Sequence, residues 1–306
     1  MCGSLAGCIL PTMGRTSHWL TRGLVPSSLA LAALGTPGVG CKGSSAQDPS
    51  GTAARAIDVA TTTVTSATVD VPPAPSRPPA LEGVFTLGGL RYVEVVSGGA
   101  LADDKLPMIV LLHGLGLRPR MFAALLGSFP IRARFILPYG YLPAGQGFAW
   151  FQARTATLAP PAQLDAALPG AADHVASALM AIRGERPTVG KLVVGGFSQG
   201  AELSYGLALL HPEMFVRACV MSGALTSELL QRPRTEGPKP EVHGFHGADD
   251  PIIRSAAGQL TIAGFSSLGY VADMKVYPGV AHNFLPAGDD VSSCLQAGAR
   301  TALATP

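Results

Sequence analysis

The sequence has few charged residues, few cysteines and no long uninterrupted apolar segment. Charged residues make up 14% of the 306 residues and the formal net charge is +2, which gives no field strong enough to hold nucleic acid. No run of 18 or more purely apolar residues occurs, so no ordinary membrane-spanning helix is expected. The five cysteines are scattered and form no CxxC pair, so neither a disulfide scaffold nor a cysteine metal site is expected. Hydrophobic residues nevertheless make up 47% of the chain, which is enough to build a core and excludes disorder of the whole chain.

Residues 1–40 have the composition of an export signal. Arg15 and Arg22 form a basic start, an apolar stretch follows at residues 24–34, and small residues continue up to position 40. If Met13 is the true start, the signal has ordinary proportions. The protein is therefore expected to be exported.

Cys41 follows Gly38-Val39-Gly40, an arrangement that resembles a bacterial lipoprotein cleavage site. We expect Cys41 to carry a lipid that anchors the protein in the cell envelope, with plain secretion as the alternative. Residues 41–80 are rich in Ser, Thr, Ala and Pro and cannot bury enough surface to offset their ordering entropy. They are expected to form a disordered tether to a domain at residues 81–306.

Residues 81–306 alternate short apolar strands with segments of helical spacing. A hairpin is predicted where residues 84–87 and 90–96 flank Gly88-Gly89. Further strands are predicted at residues 107–112, 135–137, 191–194, 218–221, 242–245 and 274–277, and helices at 171–183, 199–211, 255–268 and 289–303. The alternation predicts an α/β fold with a mostly parallel central sheet and helices on both faces. In such sheets, ligands bind beyond the carboxyl ends of the strands.

The pentapeptide Gly196-Phe197-Ser198-Gln199-Gly200 lies between a predicted strand and a predicted helix. A strand-to-helix turn this sharp needs glycines, because a Cβ at those positions would collide with neighbouring backbone. The turn would present the hydroxyl of Ser198 above the sheet, at the positive end of a helix. Ser198 is therefore the predicted nucleophile.

A serine hydroxyl is a weak nucleophile and needs a base. In this type of fold the partners follow in the order serine, acid, histidine. His282 is the predicted base, because it follows every acidic candidate and lies in a loop after a strand. His211 ends the helix after Ser198, where a surface role is expected. His243 and His246 have an odd spacing along one strand, which points them to opposite faces and makes a metal pair unfavourable.

The acid is expected in the loop that contains Asp249 and Asp250. Either carboxylate could hold the imidazole tautomer and stabilise the imidazolium. Asp250 is favoured, since Pro251 restricts its backbone to extended geometry. Asp249 better fits a solvated Asx turn.

The sequence His113-Gly114-Leu115-Gly116 closes the first predicted parallel strand. Its glycines allow the backbone to turn amides inward. The backbone N–H groups of Leu115 and Gln199 are the predicted oxyanion hole. His113 is expected to support this loop through hydrogen bonds and not to act as a base.

These sequences, followed by His246-Gly-x-x-Asp250-Pro and Tyr-Pro-Gly-x-x-His282, resemble the phospholipase/carboxylesterase family over about residues 85–300. Its members are small α/β-hydrolases that include bacterial carboxylesterases and acyl-protein thioesterases. The resemblance implies little or no cap, cleavage of carboxylic or thioester bonds, and Asp250 as the acid. In the family a pair similar to Trp150-Phe151 lies near the acyl site, which implies a substrate-binding role; core packing is the alternative.

The sequence departs from the family after the His113 segment, which continues Leu117-Arg118-Pro119-Arg120, and at Ala201, where a second glycine is usual. Both departures concern substrate specificity more than chemistry, and export argues against a protein-thioester substrate. Cys219 and Cys294 are expected to be small buried apolar residues.

The expected function is an exported serine hydrolase that cleaves small-molecule or glycan-attached carboxylic esters through a Ser-His-Asp triad and an acyl-enzyme. No metal and no cofactor are expected. Two alternatives stay open. One is an acyltransferase with the same triad, and the other is a non-catalytic binding protein tethered to the envelope.

Overall fold

The computed structural model describes residues 82–127, 129–152, 161–232 and 237–305. The predicted export signal at residues 1–40, Cys41 and the predicted tether at 41–80 lie outside the described residues. Within the described ranges, no helix combines the length and the apolar character needed to cross a bilayer.

The described residues form ten strands and six α-helices. The strands are β1 (Glu82–Leu87), β2 (Leu90–Val96), β3 (Met108–Leu112), β4 (Arg134–Pro138), β5 (Leu142–Ala144), β6 (Gly147–Ala149), β7 (Leu192–Phe197), β8 (Phe215–Met221), β9 (Glu241–Gly247) and β10 (Ala272–Tyr277). The helices are α1 (Ala123–Leu126), α2 (Pro161–Glu185), α3 (Gln199–Leu210), α4 (Ser227–Leu230), α5 (Ser255–Ser267) and α6 (Gly288–Ala304). The predicted alternation of strands and helices is confirmed.

Eight of these strands form one sheet in the order β1-β2-β4-β3-β7-β8-β9-β10. The six strands β4, β3, β7, β8, β9 and β10 run parallel to one another. At one edge, β1 pairs antiparallel with β2, and β2 pairs antiparallel with β4. The predicted hairpin is present, and Gly88 and Gly89 have φ values of +59° and +77°. These left-handed values are the ones that a two-residue hairpin turn favours.

Helices cover both faces of the sheet, as predicted. In β3 all five residues are buried, and successive side chains point to opposite faces. Val110 and Leu112 join one core with α2, α3 and α5, while Ile109 and Leu111 join a second core with α1 and α6. Burial on both faces explains why the central strands are continuous apolar runs.

Two elements differ from the prediction. Helix α2 begins at Pro161, not at residue 171, and passes through Pro169. A proline inside a helix removes a hydrogen bond, but the added turns bury Leu164 and Leu168 in the core, which offsets that cost. Around Gly147, where no strand was predicted, the structure contains β6, which pairs with β5.

Cys219 and Cys294 are buried, as predicted, but they form a disulfide bond, which the sequence analysis did not expect. Cys219 lies in β8 and Cys294 in α6, and both side chains are buried in the second core. The bond joins positions that are 75 residues apart in sequence and ties the C-terminal helix to the sheet. Since the fold alone brings these positions together, their spacing in the sequence gives no sign of the pairing.

We expect the double substitution C219A/C294A to lower the free energy of unfolding by about 2–4 kcal/mol, because the unfolded chain loses a long covalent loop. Urea unfolding measures the effect. Reductant should bring the wild-type midpoint close to that of the double variant and leave the variant unchanged. Equal midpoints for both proteins without reductant would contradict a stabilising role.

Candidate active site

Ser198 lies alone between β7, which ends at Phe197, and α3, which begins at Gln199. Its backbone has φ +56° and ψ −120°, a left-handed φ that is strained for a residue with a side chain. A Cβ on Gly196 would lie 2.3 Å from the carbonyl oxygen of Gly200, and a Cβ on Gly200 would lie 2.0 Å from that of Leu112. Both glycines are therefore needed for the turn to form.

The fold brings the three predicted side chains together. Nε2 of His282 lies 2.9 Å from Oγ of Ser198, and its Nδ1 lies 2.7 Å from Oδ2 of Asp250. With Nδ1–H donating to the carboxylate, Nε2 is left to accept the serine proton. The Asp250 side chain is fully buried, whereas that of His282 is 17% exposed. Asp249 is exposed.

The carboxylate of Asp250 is held on both oxygens. Oδ1 accepts hydrogen bonds from the backbone N–H groups of Ile252 and Ile253, at 2.8 and 2.9 Å. Oδ2 faces His282 and also lies 3.3 Å from Nε2 of His246. His246 lies behind this loop, and its Nε2 donates to the carbonyl of Ile253 at 2.7 Å. Burial lowers the pKa of His246, so this histidine holds the loop as a neutral ring.

The sequence identified His246 only as a poor metal ligand, and its role behind Asp250 was missed. His243 lies elsewhere, with Nδ1 2.9 Å from a carboxylate oxygen of Asp273. Across the described ranges, no three His, Cys, Asp or Glu side chains are grouped so that they could hold a metal ion.

The loop after β3 forms a turn in which Leu117 N–H donates to the carbonyl of Gly114 at 3.1 Å. Gly116 has φ +72°, and its N–H donates to Phe148 at 2.9 Å. The N–H groups of Gly116 and Leu117 are the donors of these two bonds, and the N–H of Leu115 takes part in neither. A Cβ on Gly114 would lie 3.3 Å from Cβ of Ser198, so the turn lies directly beside the serine.

Gln199 is the first residue of α3, and its N–H has no acceptor within the helix. The two amides predicted to form an oxyanion hole, those of Leu115 and Gln199, thus belong to neighbouring backbone segments beside Ser198. Two donors that are already fixed next to the nucleophile can stabilise developing negative charge without reorganisation.

His113 supports the turn, as expected. Its Nδ1 donates to the carbonyl of Gly114 at 2.8 Å, and its Nε2 accepts from the backbone N–H of Gly140 at 2.9 Å. Burial lowers the pKa of His113 to about 4. The ring is therefore neutral near pH 7, and its two hydrogen bonds hold the turn in place.

Trp150 and Phe151 are locked behind the same loop. The Trp150 indole donates to the carbonyl of His113 at 2.7 Å. The Gln199 side chain accepts from Trp150 N–H at 2.9 Å and donates to the carbonyl of Phe151 at 3.0 Å. Both aromatic side chains are buried in the first core. These contacts position the loop, and contact of the pair with substrate stays a prediction.

Glu202 was missed by sequence reasoning. It lies in the first turn of α3, is 5% exposed, and its backbone N–H donates to the carbonyl of Ser198 at 3.0 Å. Burial raises the pKa of its carboxyl to about 8, so the group is mostly neutral at pH 7. The signal was present in the sequence, since Glu202 is the only charged residue in α3, and acids are rarely buried without a reason.

Ala201, which stands where a second glycine is usual, fits because a glycine lies opposite it. A Cβ on Gly223, in the loop after β8, would lie 2.5 Å from Cβ of Ala201. The methyl group of Ala201 therefore occupies space that a bare glycine leaves. The first turn of α3 packs directly on this loop.

The sheet order and the strand-turn-helix at Ser198 define an α/β-hydrolase fold. A family model described as Phospholipase/Carboxylesterase matches residues 92–288, and the chain belongs to this family. The predicted family and fold class are confirmed.

Individual relatives match over shorter stretches. A probable carboxylesterase of Oryza sativa subsp. japonica is 32% identical over 30% of this chain and 35% of its own length. Acyl-protein thioesterase 1 of Gibberella zeae is 31% identical over 31% of this chain and 43% of its own length. The chain thus spans between a third and a half of these curated relatives.

Solved structures are similar in fold. Esterase PE8 is 22% identical, with a TM-score of 0.58, over 66% of this chain and 99% of its own. SOBER1 of Arabidopsis thaliana is 21% identical, with a TM-score of 0.55, over 62% of this chain and 98% of its own. At these identities the likeness concerns the fold alone.

The pKa of Glu202 predicts how stability depends on pH. Between its ordinary value of 4.5 and the folded value of about 8, the unfolded chain has released the proton and the folded protein has not. This contribution to stability is complete below the lower value and is lost as pH rises towards the upper one, by at most about 1.4 kcal/mol per pH unit. Glu202→Gln should remove the loss, and urea unfolding at several pH values measures it.

The matched control is Glu185→Gln, which removes an exposed carboxyl at the end of α2. The difference in unfolding free energy between Glu202→Gln and wild type should grow up to about pH 8 and then level off. A difference that stays constant across this range would mean that Glu202 is ionised in the folded protein.

Proposed function

We propose that this protein is an exported serine hydrolase that cleaves carboxylic esters through an acyl-enzyme on Ser198. The observation that carries the proposal is the continuous hydrogen-bonded chain from Asp250 through His282 to Oγ of Ser198. A binding protein would have no need of this chain, and it supports hydrolysis over the non-catalytic alternative. The names of the relatives, a probable carboxylesterase and an acyl-protein thioesterase, agree with this class of bond.

In the proposed mechanism, Oγ of Ser198 attacks the ester carbonyl while Nε2 of His282 takes the hydroxyl proton. Asp250 holds the Nδ1–H of His282 and stabilises the imidazolium that forms. The N–H groups of Leu115 and Gln199 bind the oxyanion of the tetrahedral intermediate. His282 then gives the proton to the leaving alcohol, and water releases the acyl group by the same route. Each proton and charge in this cycle is handled by these groups, without a metal or cofactor.

Trp150 and Phe151 are proposed to bound the acyl site, since they bracket the side chain of Gln199. The proposed substrates are small-molecule or glycan-attached esters.

Buried polar groups keep the reacting atoms in place before substrate arrives. His113 and Trp150 fix the turn that carries Leu115, and His246 fixes the loop that carries Asp250. Such preorganisation lowers the reorganisation needed in the transition state.

Ser198→Ala should reduce hydrolysis of para-nitrophenyl acetate by a factor on the order of 10³ or more, because the attacking oxygen is removed. The same variant should no longer be labelled by a fluorophosphonate probe. Ser177→Ala, which changes an exposed serine on α2, is the matched control and should keep full activity. Unchanged turnover in Ser198→Ala would reject the mechanism.

The two neighbouring aspartates give a second paired test of the same mechanism. Asp250→Asn should lower kcat by a factor on the order of 10³–10⁴, because the amide stabilises the wrong imidazole tautomer. Asp249→Asn changes an exposed side chain and should stay within about twofold of wild type. The reverse ranking of the two variants would assign the acid to Asp249.

Export is proposed on two independent grounds. The first is the signal-like composition of residues 1–40. The second is the disulfide between Cys219 and Cys294, since such bonds persist in oxidising compartments and are rare in the cytosol. We further propose that the protein is attached to the cell envelope by a lipid on Cys41, the alternative being free secretion.

Mass spectrometry of the mature protein from membrane and soluble fractions tests the anchor. The expected result is an N-terminal peptide that begins at Cys41 and carries lipid, found in the membrane fraction. A protein whose mature chain is unlipidated and occurs only in the soluble fraction would overturn the lipid anchor. A protein that keeps residues 1–40 and remains in the cytoplasm would overturn export.

A further inference from the structure

A pocket lies beside the triad, between the first turn of α3, the loop after β8 and the loop that carries Asp250. Its volume is about 670 Å³, and apolar side chains form much of its wall, among them Leu164, Leu225, Ile252 and Ile253. This volume is in the range of small-molecule sites. Its lining includes Glu202, one helical turn after Ser198, and Pro251, the chain neighbour of Asp250.

Glu202 is the acidic group in the lining of this pocket, which we call the Glu202 pocket. Within the described part of the chain, its carboxyl has neither a hydrogen-bond nor an ion-pair partner, although the residue is only 5% exposed. Its oxygens are not among the described buried side-chain atoms that lack a partner, so they are open to the pocket. A group that enters the pocket can therefore hydrogen-bond this carboxyl.

The charged groups around the pocket do not offset a charge on Glu202. Asp165 of α2 is an acid itself and accepts a hydrogen bond from the hydroxyl of Thr226. Asp250 is engaged by His282 and by backbone amides. Arg254, at the start of α5, lines the pocket but is exposed to solvent. Burial against the largely apolar wall raises the pKa of the Glu202 carboxyl, which favours its neutral form.

A neutral carboxyl is suited to uncharged polar groups that both donate and accept hydrogen bonds. It donates through its O–H and accepts through its carbonyl oxygen, so it pairs well with a hydroxyl, which does both. An anionic group would be repelled by any fraction of ionised Glu202 and by Asp165, and a cationic group would face Arg254. The apolar walls accommodate a carbon skeleton. The pocket thus fits an uncharged group that carries hydroxyls.

We propose that Glu202 is a specificity-determining residue, whose carboxyl hydrogen-bonds a hydroxyl on the alcohol part of the substrate in the Glu202 pocket. The preferred substrates are then esters of polyhydroxylated alcohols, such as glycerol or a sugar. This inference rests on the proposed function, since it assigns the alcohol of the ester that Ser198 cleaves. It predicts discrimination between esters that differ only in hydroxyl groups.

The test compares kcat/KM for glyceryl monobutyrate and propyl butyrate, which share acyl group and carbon skeleton. Wild type should prefer the glyceryl ester, and in Glu202→Leu the ratio of the two values should fall by about tenfold, which corresponds to one hydrogen bond. Glu202→Gln keeps a donor and an acceptor and should hold the ratio within about threefold of wild type. Glu185→Gln is the control and should not change the ratio.

A readout in pH keeps the proposal testable if Glu202→Leu fails to fold. As pH rises through the Glu202 pKa of about 8, ionisation turns its carboxyl from a donor and acceptor into an acceptor only, so the preference of wild type for the glyceryl ester should change with pH. The preference of Glu202→Gln should stay constant. A ratio that does not change with pH in either protein, or that is the same in wild type and Glu202→Leu, would overturn the proposal.

Failure of this inference can be distinguished from failure of the proposed function. If para-nitrophenyl acetate is hydrolysed and the activity is lost in Ser198→Ala, the hydrolase assignment stands whatever the ratio does. If that activity is absent, the proposed function fails first.

Discussion

The candidate active site depends on the close approach of the β7–α3 turn to the end of β3. Backbone oxygens of Gly200 and Leu112 lie within 2.3 and 2.0 Å of where side chains would begin at Gly196 and Gly200, so α3 can start directly above the sheet only with glycine at both positions. This approach sets the backbone of Ser198 in its left-handed conformation. It also places the first amide of α3 beside the turn that carries Leu115, so the proposed nucleophile and the proposed oxyanion donors are fixed by one packing constraint.

The parallel order of the strands brings the other loops of the site together. The loops after β3, β7, β9 and β10 all leave from the carboxyl edge of one sheet, where parallel strands bring distant residues together. Neutral, buried side chains then hold these loops. His113 and Trp150 fix one loop, and His246 fixes another. Because these groups are uncharged, they position the reacting atoms without adding charge next to Asp250 or the oxyanion site.

Site residues whose place follows from local backbone geometry or from chain order could be predicted from the sequence. Ser198 lies between required glycines, and Asp250 and His282 follow in chain order at strand ends, so their contact follows from the topology. The disulfide and the early start of α2 depend on tertiary contacts between distant segments. A local sequence pattern does not predict such contacts. Cys294 meets Cys219 only because α6 packs on β8. The turns that α2 gains before Pro169 are stabilised by burial of Leu164 and Leu168, a tertiary effect that overrides the helix-breaking tendency of proline.

Glu202 shows why a group beside a nucleophile must be judged by its protonation state. An ionised carboxylate one helical turn from Ser198 would repel an oxyanion bound at Leu115 and Gln199, as we propose, and little solvent is present to screen it. It would also weaken the favourable field of the α3 N-terminus, which points its free N–H groups at the same place. Burial avoids both effects, because it keeps the acid neutral. The same burial that removes the charge leaves a hydrogen-bonding group in a largely apolar pocket, so the proposed catalysis and the proposed selectivity for hydroxyl groups would have one physical origin.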